Sequence, residues 1–363
     1  MKVVFCGDLS PTPENFAAFD GGDVTALFHG VEDLFQKADY TVVNLECCLT
    51  ESENAIAKIG PPLKAPMGTA KTLRKAGVTH CNLSNNHFFD YGRKGAEDSI
   101  RALDEAGILY TGYGEDDAAS RKNLVLEQDG KTLCIIAVCE HEYSYALASR
   151  VGCRGFDEFE TPLEIRAAKA QYDRVAVLYH GGKEQCQYPS PRLRKACHAM
   201  AKSGADVILC QHSHCIGCTE VVEGCHILYG QGNFHFVTDR HSSDPTWFEG
   251  LACTYDTEAN TLTFHPVVRQ EHGIRPANES EGAEILGGMA NRSRTLADGT
   301  WVDSWHAFCE SKREFYTKAV ALACTEEGGE KGTERFAHYL DCEAHTDVWR
   351  ELFKTHNHRN ELN

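Results

Sequence analysis

The chain has 363 residues, 42% of them hydrophobic and 25% charged, a balance that supports a large buried core and excludes a disordered chain. Its formal net charge is −17, and no basic block offsets it, which disfavours nucleic-acid partners. Seventeen cysteines fall without a framework pattern and read as reduced thiols; with no signal-peptide pattern and no apolar run near about 18 residues, we expect neither export nor a membrane partner, and a cytoplasmic location.

Up to about residue 235, short β-rich runs alternate with helical patterns, the rhythm of an α/β domain. A first strand over 3–6 runs out at Gly7-Asp8, and an amphipathic helix is expected over 24–38. A second strand, 40–43, leads to Asn44-Leu45-Glu46 and a helix over 68–76. The third, 79–83, leads to Ser84-Asn85-Asn86-His87 and a helix over 94–106. Residues 123–127 and 131–138 flank Asp129-Gly130, a pair that favours a primed hairpin turn. Strand 175–179 ends at His180-Gly181-Gly182, a helix follows over 191–203, and strand 206–210 ends at Gln211-His212-Ser213-His214. Residues 251–255 and 262–268 form an expected antiparallel pair. From about 276 the pattern is helical, over 280–296, 304–324 and 334–355. We therefore expect an α/β domain over 1–275 with a helical C-terminal extension, 276–363, packed on it.

Each apolar strand ends in a metal-capable or amide side chain, and ligands of open α/β sheets bind outside those carboxyl ends. Singly, these residues have ordinary uses. Asp8 suits a turn or helix cap, Glu46 a buried Lys or Arg, Asn85 and Asn86 a turn, and His180 a hydrogen-bonded core position. Together, Asp8, Glu46, His180, His212 and His214 supply the imidazole–carboxylate set favoured by hydrolytic divalent metals. The His-x-His pair aims both rings at one centre if the backbone is extended, and at two adjacent metals if it turns. Cys215-Ile216-Gly217-Cys218, flanked by Cys210 and Cys225, offers a competing zinc knuckle.

These stations together resemble the poly-γ-glutamate capsule synthesis (CapA-like) family, whose fold is similar to that of calcineurin-like metallophosphoesterases. The resemblance runs through Gly7-Asp8, Asn44-Leu45-Glu46, Ser84-Asn85-Asn86-His87 to Gly92, Gly112-Tyr113-Gly114, His180-Gly181-Gly182-Lys183-Glu184, Gln211 to His214, and Gly230-Gln231-Gly232-Asn233-Phe234. It implies a four-layer αββα sandwich with one or two divalent metals (Mn, Zn or Fe). Asp8 and His214 would hold one, Asn86, His180 and His212 a second, and Glu46 would bridge. It also implies that His87 serves the leaving group, with Asp90 either orienting His87 or capping the next helix. Two positions depart from the phosphoesterase pattern: Ser10 stands where a histidine is usual, and Glu46 where the bridging residue is an aspartate.

The expected function is a metal-dependent hydrolase acting on a phosphoester or another small or oligomeric anionic substrate. Asn85, Lys183, Asn233 and Tyr188 are expected at the substrate, and His141, Tyr143 and His235 around the pocket. The alternative is a poly-γ-glutamate biosynthesis or polymer-binding protein with a structural or degenerate metal site, where Lys183 and Arg93 would meet the polyanion.

Overall fold

The computed structural model describes residues 1–140 and 143–354. In chain order the main strands are β1 (Lys2–Leu9), β2 (Tyr40–Leu45), β3 (His80–Asn82), β4 (Leu109–Thr111), β5 (Leu124–Gln128), β6 (Lys131–Cys139), β7 (Arg174–His180), β8 (Val207–Gln211), β9 (Thr219–Val222), β10 (Cys225–Tyr229), β11 (Asn233–His235), β12 (Glu249–Asp256), β13 (Thr261–Gln270) and β14 (Gly273–Pro276). One sheet has the order β14-β13-β12-β1-β2-β3-β4, with β11 pairing β1; the other has the order β9-β10-β8-β7-β6-β5. β1 to β4 are mutually parallel, as are β6, β7, β8 and β10. Their carboxyl ends therefore share one edge of the molecule.

Side-chain alternation explains the layers. In β1, Val3 and Phe5 point between the sheets toward Ile135, Leu178 and Leu209, while Val4 and Cys6 pack on Phe19, Leu27, Phe28 and Leu73. In the other sheet Ile136, Val177 and Ile208 face outward onto Ile165, Leu193 and Met200. Both faces of each central strand are thus apolar, so these strands read as continuous hydrophobic runs. The result is helix, sheet, sheet, helix: the αββα order implied by the resemblance.

The hairpin turn carries Asp129 at φ 52° and Gly130 at φ 73°, the left-handed pair that a primed turn requires. The helix expected over 24–38 is instead two short ones, Val24–Phe28 and Glu32–Gln36, because His29 (φ 43°) and Gly30 (φ 97°) turn the backbone left-handed between them. Two C-terminal helices also divide. The stretch 304–324 becomes Trp301–Ser311 and Arg313–Ala323, and 334–355 becomes Gly329–Asp341 and Glu343–Leu352; Thr355 lies outside the described residues.

The C-terminal helices begin at a capping box, in which Asn278 and Glu281 satisfy each other's backbone N–H groups at the start of Glu279–Asp298. Trp301, Trp305, Tyr316, Tyr339 and Val348 join the outer core of the second sheet. A buried polar tie fixes the last helix: the Arg192 guanidinium meets Asp347 at 2.9 Å and also pairs with Glu140, and Ser190 Oγ donates to Asp347 at 2.5 Å. Among the described residues no helix is long and apolar enough to cross a membrane.

Candidate metal centre

Gly7 lets the end of β1 pass close to the turn before β11, since a Cβ there would lie 2.4 Å from the Gly232 carbonyl oxygen. That approach places Asp8 at the common edge. Glu46 follows β2, Asn86 and His87 follow β3, His180 ends β7, and His212 and His214 follow β8. All of these side chains are buried.

One ligand atom each from Glu46, His180 and His212 lies within 4.8 Å of the others, as do atoms from Asp8, Glu46 and His214. Glu46 belongs to both groups. The two histidines of the His-x-His pair divide between them because His212 (φ 80°) and His214 (φ 55°) are both left-handed, so the backbone turns rather than extends. Such non-glycine geometry costs on the order of 1–3 kcal/mol per residue and persists where surrounding structure enforces it. Asn86 Oδ1 lies 2.9 Å from His180 Nε2, which puts it with the first group.

The donor set fits a divalent cation. Asp8 and Glu46 are both fully buried, and neither pairs with a Lys or Arg among the described residues. Neither Glu46 oxygen is hydrogen-bonded, and His180 Nε2 stands 3.3 Å from one of them. Burial, and then the negative charge of Asp8, push the Glu46 carboxyl well above its usual range. Burial would lower His214, but Glu46 and Asp8 outweigh it and raise it. Uncompensated buried carboxylates are costly, and a bound divalent ion removes that cost. Ser10 is also buried.

Beside this centre, His87 Nδ1 lies 2.6 Å from Asp90 Oδ2. Asp90 also accepts from Lys58 Nζ at 2.6 Å and from the Leu63 N–H at 2.7 Å. Burial alone would raise the Asp90 carboxyl, but His87 and Lys58 hold it below its ordinary value. The helix Gly92–Ala106 has no side-chain cap, so Asp90 orients His87 and does not cap the helix. Nothing in the sequence pointed to Lys58, which sits in an irregular loop and meets Asp90 only through folding.

A second group missed in the sequence is a buried amide chain beneath the centre. Asn44 Nδ2 donates to Asp8 at 2.7 Å and lies 3.1 Å from His180 Nδ1. Asn44 Oδ1 accepts from Asn82 and Asn85. Asn82 continues to Gln211, and Gln211 to Gln231, so amides from both sheets brace the donor residues. A signal existed: Asn44, Asn82, Gln211 and Gln231 are polar residues at the ends of apolar runs.

Several expected substrate contacts are elsewhere. Asn85 is fully buried, bracing Asn44 and the Leu45 carbonyl and accepting from the His87 and Phe88 N–H groups. Asn233 lies behind His214, with Oδ1 2.9 Å from its Nδ1, and donates to the Trp247 carbonyl. Tyr188 packs on the outer core and its hydroxyl accepts from Thr295. His235 is a core histidine, Nε2 3.1 Å from the Leu27 carbonyl, and burial pushes its pKa down to about 4. Arg93 pairs with Glu115 on the surface. Tyr143 holds the Lys58 loop, accepting from the Ile59 N–H, and His141 lies outside the described residues. The Cys-x-x-Cys thiols are buried and free, and no cysteine joins a metal-capable group among the described residues.

Lys183 lines the space beside Asn86 and His87. A cleft of about 460 Å³ opens on Asn86 and His87, with Lys58 and Lys183 on its body side and Lys312 and Tyr339 of the C-terminal helices opposite.

A family model described as "Bacterial capsule synthesis protein PGA_cap" matches residues 2–238. The chain is 32% identical over 220 residues to the capsule biosynthesis protein CapA of Bacillus anthracis, covering 58% of this chain and 53% of that protein. It is 29% identical over 217 residues to the PGA biosynthesis protein CapA of Bacillus subtilis (strain 168), covering 58% of this chain and 57% of that one. The chain thus spans about half the length of these relatives. Among solved structures, a calcineurin-like phosphoesterase of Bacillus subtilis aligns with 11% identity and a TM-score of 0.43, covering 77% of this chain and 88% of that one.

Proposed function

We propose that this chain, which belongs to the bacterial capsule synthesis protein (PGA_cap) family, is a metal-dependent hydrolase of a phosphoester or similarly oxygen-rich anionic substrate. The observation that carries this reading is Glu46, a buried carboxylate without a hydrogen bond, shared by two groups of donor atoms. Asp8 and His214 would hold one divalent ion (Mn, Zn or Fe), and Asn86, His180 and His212 a second, with Glu46 between them. When bound, such ions supply Lewis acidity, acidifying water and polarising the bond to be cleaved.

The protein's own residues supply positioning and proton transfer. Asp90 holds His87 Nδ1, fixing the tautomer and leaving Nε2 for the leaving oxygen. Lys58 pairs with Asp90, and Asn44 donates a hydrogen bond to the Asp8 carboxylate. The names of the Bacillus relatives support a second reading, a role in poly-γ-glutamate capsule biosynthesis, in which the same centre serves polymer handling.

The test is metal content by mass spectrometry on protein purified without chelator, followed by turnover of an aryl phosphate with manganese, zinc or iron. We expect bound metal in the parent, and its loss in His180→Ala and His212→Ala with the circular dichroism spectrum unchanged. Full metal retention by both variants would refute the ligand assignment.

A further inference from the structure

We propose that Lys183 and Lys312 form a second anion subsite, so that the substrate carries two anionic groups, one at the metal centre and His87 and one at these ammonium groups. The proposal rests on the hydrolase reading and adds a requirement on the substrate.

Lys183 follows His180 by three residues, in the turn after β7; Lys312 stands at the junction of Trp301–Ser311 and Arg313–Ala323. Both are half-buried and line the cleft that opens on Asn86 and His87. The positive charges of both act on the one buried thiol of Cys186, which puts the two ammonium groups in the same neighbourhood. Yet neither makes an ion pair or a hydrogen bond among the described residues, in a chain with 53 acidic residues against 36 basic ones. Most buried or half-buried lysines here do find partners: Lys58 is held by Asp90 and Lys169 by Asp206. Lys312 Nζ lies 5.4 Å over the Phe308 ring, a contact that leaves its charge without an anionic partner, and two such lysines in one cavity beside an anion-binding centre are what a bound anion would satisfy.

Aromatic residues of the C-terminal helices line the same cleft. Tyr316 and Tyr339 lie with ring centroids 5.2 Å apart, and Phe315 reaches Tyr339 at 5.6 Å. Tyr316 and Tyr339 are buried and Phe315 is exposed, so Phe315 is the ring that offers apolar surface to a carbon spacer. Glu184 lines the same cleft, and its carboxylate opposes an anion there, so the two ammonium groups together must outweigh it. Lys312 and the aromatic residues lie beyond residues 2–238 matched by the family model, and Lys183 lies within them, so the C-terminal helices contribute one half of the subsite.

Calorimetric titration of the manganese-loaded protein tests this with three probes: inorganic phosphate, 3-phosphoglycerate and propane-1,3-diyl bisphosphate. Charge-assisted contacts at the lysines should make the two-anion probes bind about tenfold more tightly than phosphate. Comparison of the two tells whether the second group is a carboxylate or a phosphate. Lys312→Ala should remove the preference while changing phosphate affinity less than about twofold, Lys183→Ala should remove it as well, and Lys312→Arg should retain it. Equal binding of all three probes, or an undiminished preference in both alanine variants, overturns the subsite. Metal content measured on the same samples separates the outcomes: a parent protein that retains metal but shows no preference defeats the subsite alone, whereas a parent protein that retains no metal defeats the hydrolase reading and the subsite with it.

Discussion

His212 and His214 are two residues apart but join different donor groups, because left-handed backbone at both positions turns one ring toward His180 and the other toward Asp8. The residue types were legible in the sequence; the division was not, since it depends on φ values fixed by surrounding contacts. The same holds for Asn85 and Asn233. Their neighbours in sequence marked them as site residues, but hydrogen bonding assigns them to bracing His87 and His214. At this scale the proton-transfer assignment gives a direct prediction. His87→Ala should keep the metal and lower kcat by about 10²–10⁴-fold, the usual contribution of a positioned acid or base. Asp90→Asn should also lower kcat and should shift the pH–rate profile, because His87 loses the carboxylate that fixes its tautomer. Undiminished turnover in His87→Ala would remove it from the mechanism.

At the scale of elements, the strands and their order of appearance were readable because their apolar runs are buried on both faces. Of the helix breaks, the one at His29 had a local signal in Gly30, a residue that favours a helix stop, whereas the one at Lys312 carries none. Element packing instead depends on polar clasps such as Glu220 on β9. Arg194 reaches Glu220 at 2.9 Å, His198 at 2.8 Å and Tyr229 at 2.8 Å, fastening the helix Pro191–Lys202 to the sheet edge. Burial alone would raise the Glu220 carboxyl, but these donors bring it from 4.5 down to about 2. A folded pKa below the unfolded one gives stability that is complete above about pH 4.5 and is lost as pH falls toward 2. Glu220→Gln should therefore cost about 1–2 kcal/mol at pH 7, after allowance for solvent screening, and almost nothing near pH 2. Urea denaturation of both proteins across that range measures the difference. A gap that does not shrink with acid would contradict this origin.

At the scale of the whole molecule, the C-terminal helices share a core with the second sheet and form one wall of the cleft. Removing residues 277–363 would uncover the outer face that packs on Trp301, Trp305 and Val348, and each large apolar side chain is worth roughly 1.5–3 kcal/mol of burial. We expect the truncated chain to aggregate, as read by size-exclusion chromatography and soluble yield. A monodisperse, metal-binding truncation would instead show that the helices are an independent appendage.

The sequence by itself determined the α/β class, the core strands and the residue types at their carboxyl ends, because apolar periodicity and strand-end chemistry are local properties. It also carried the family resemblance in ordered motifs along the chain. Only the tertiary structure decided which side chains meet: that Glu46 stands between two donor groups, that Lys58 pins Asp90, that amides from both sheets brace Asp8 and His180, and that Lys312 faces the cleft. Those contacts join residues tens to hundreds of positions apart, and such pairings are set by sheet packing and backbone turns that no short stretch of sequence encodes.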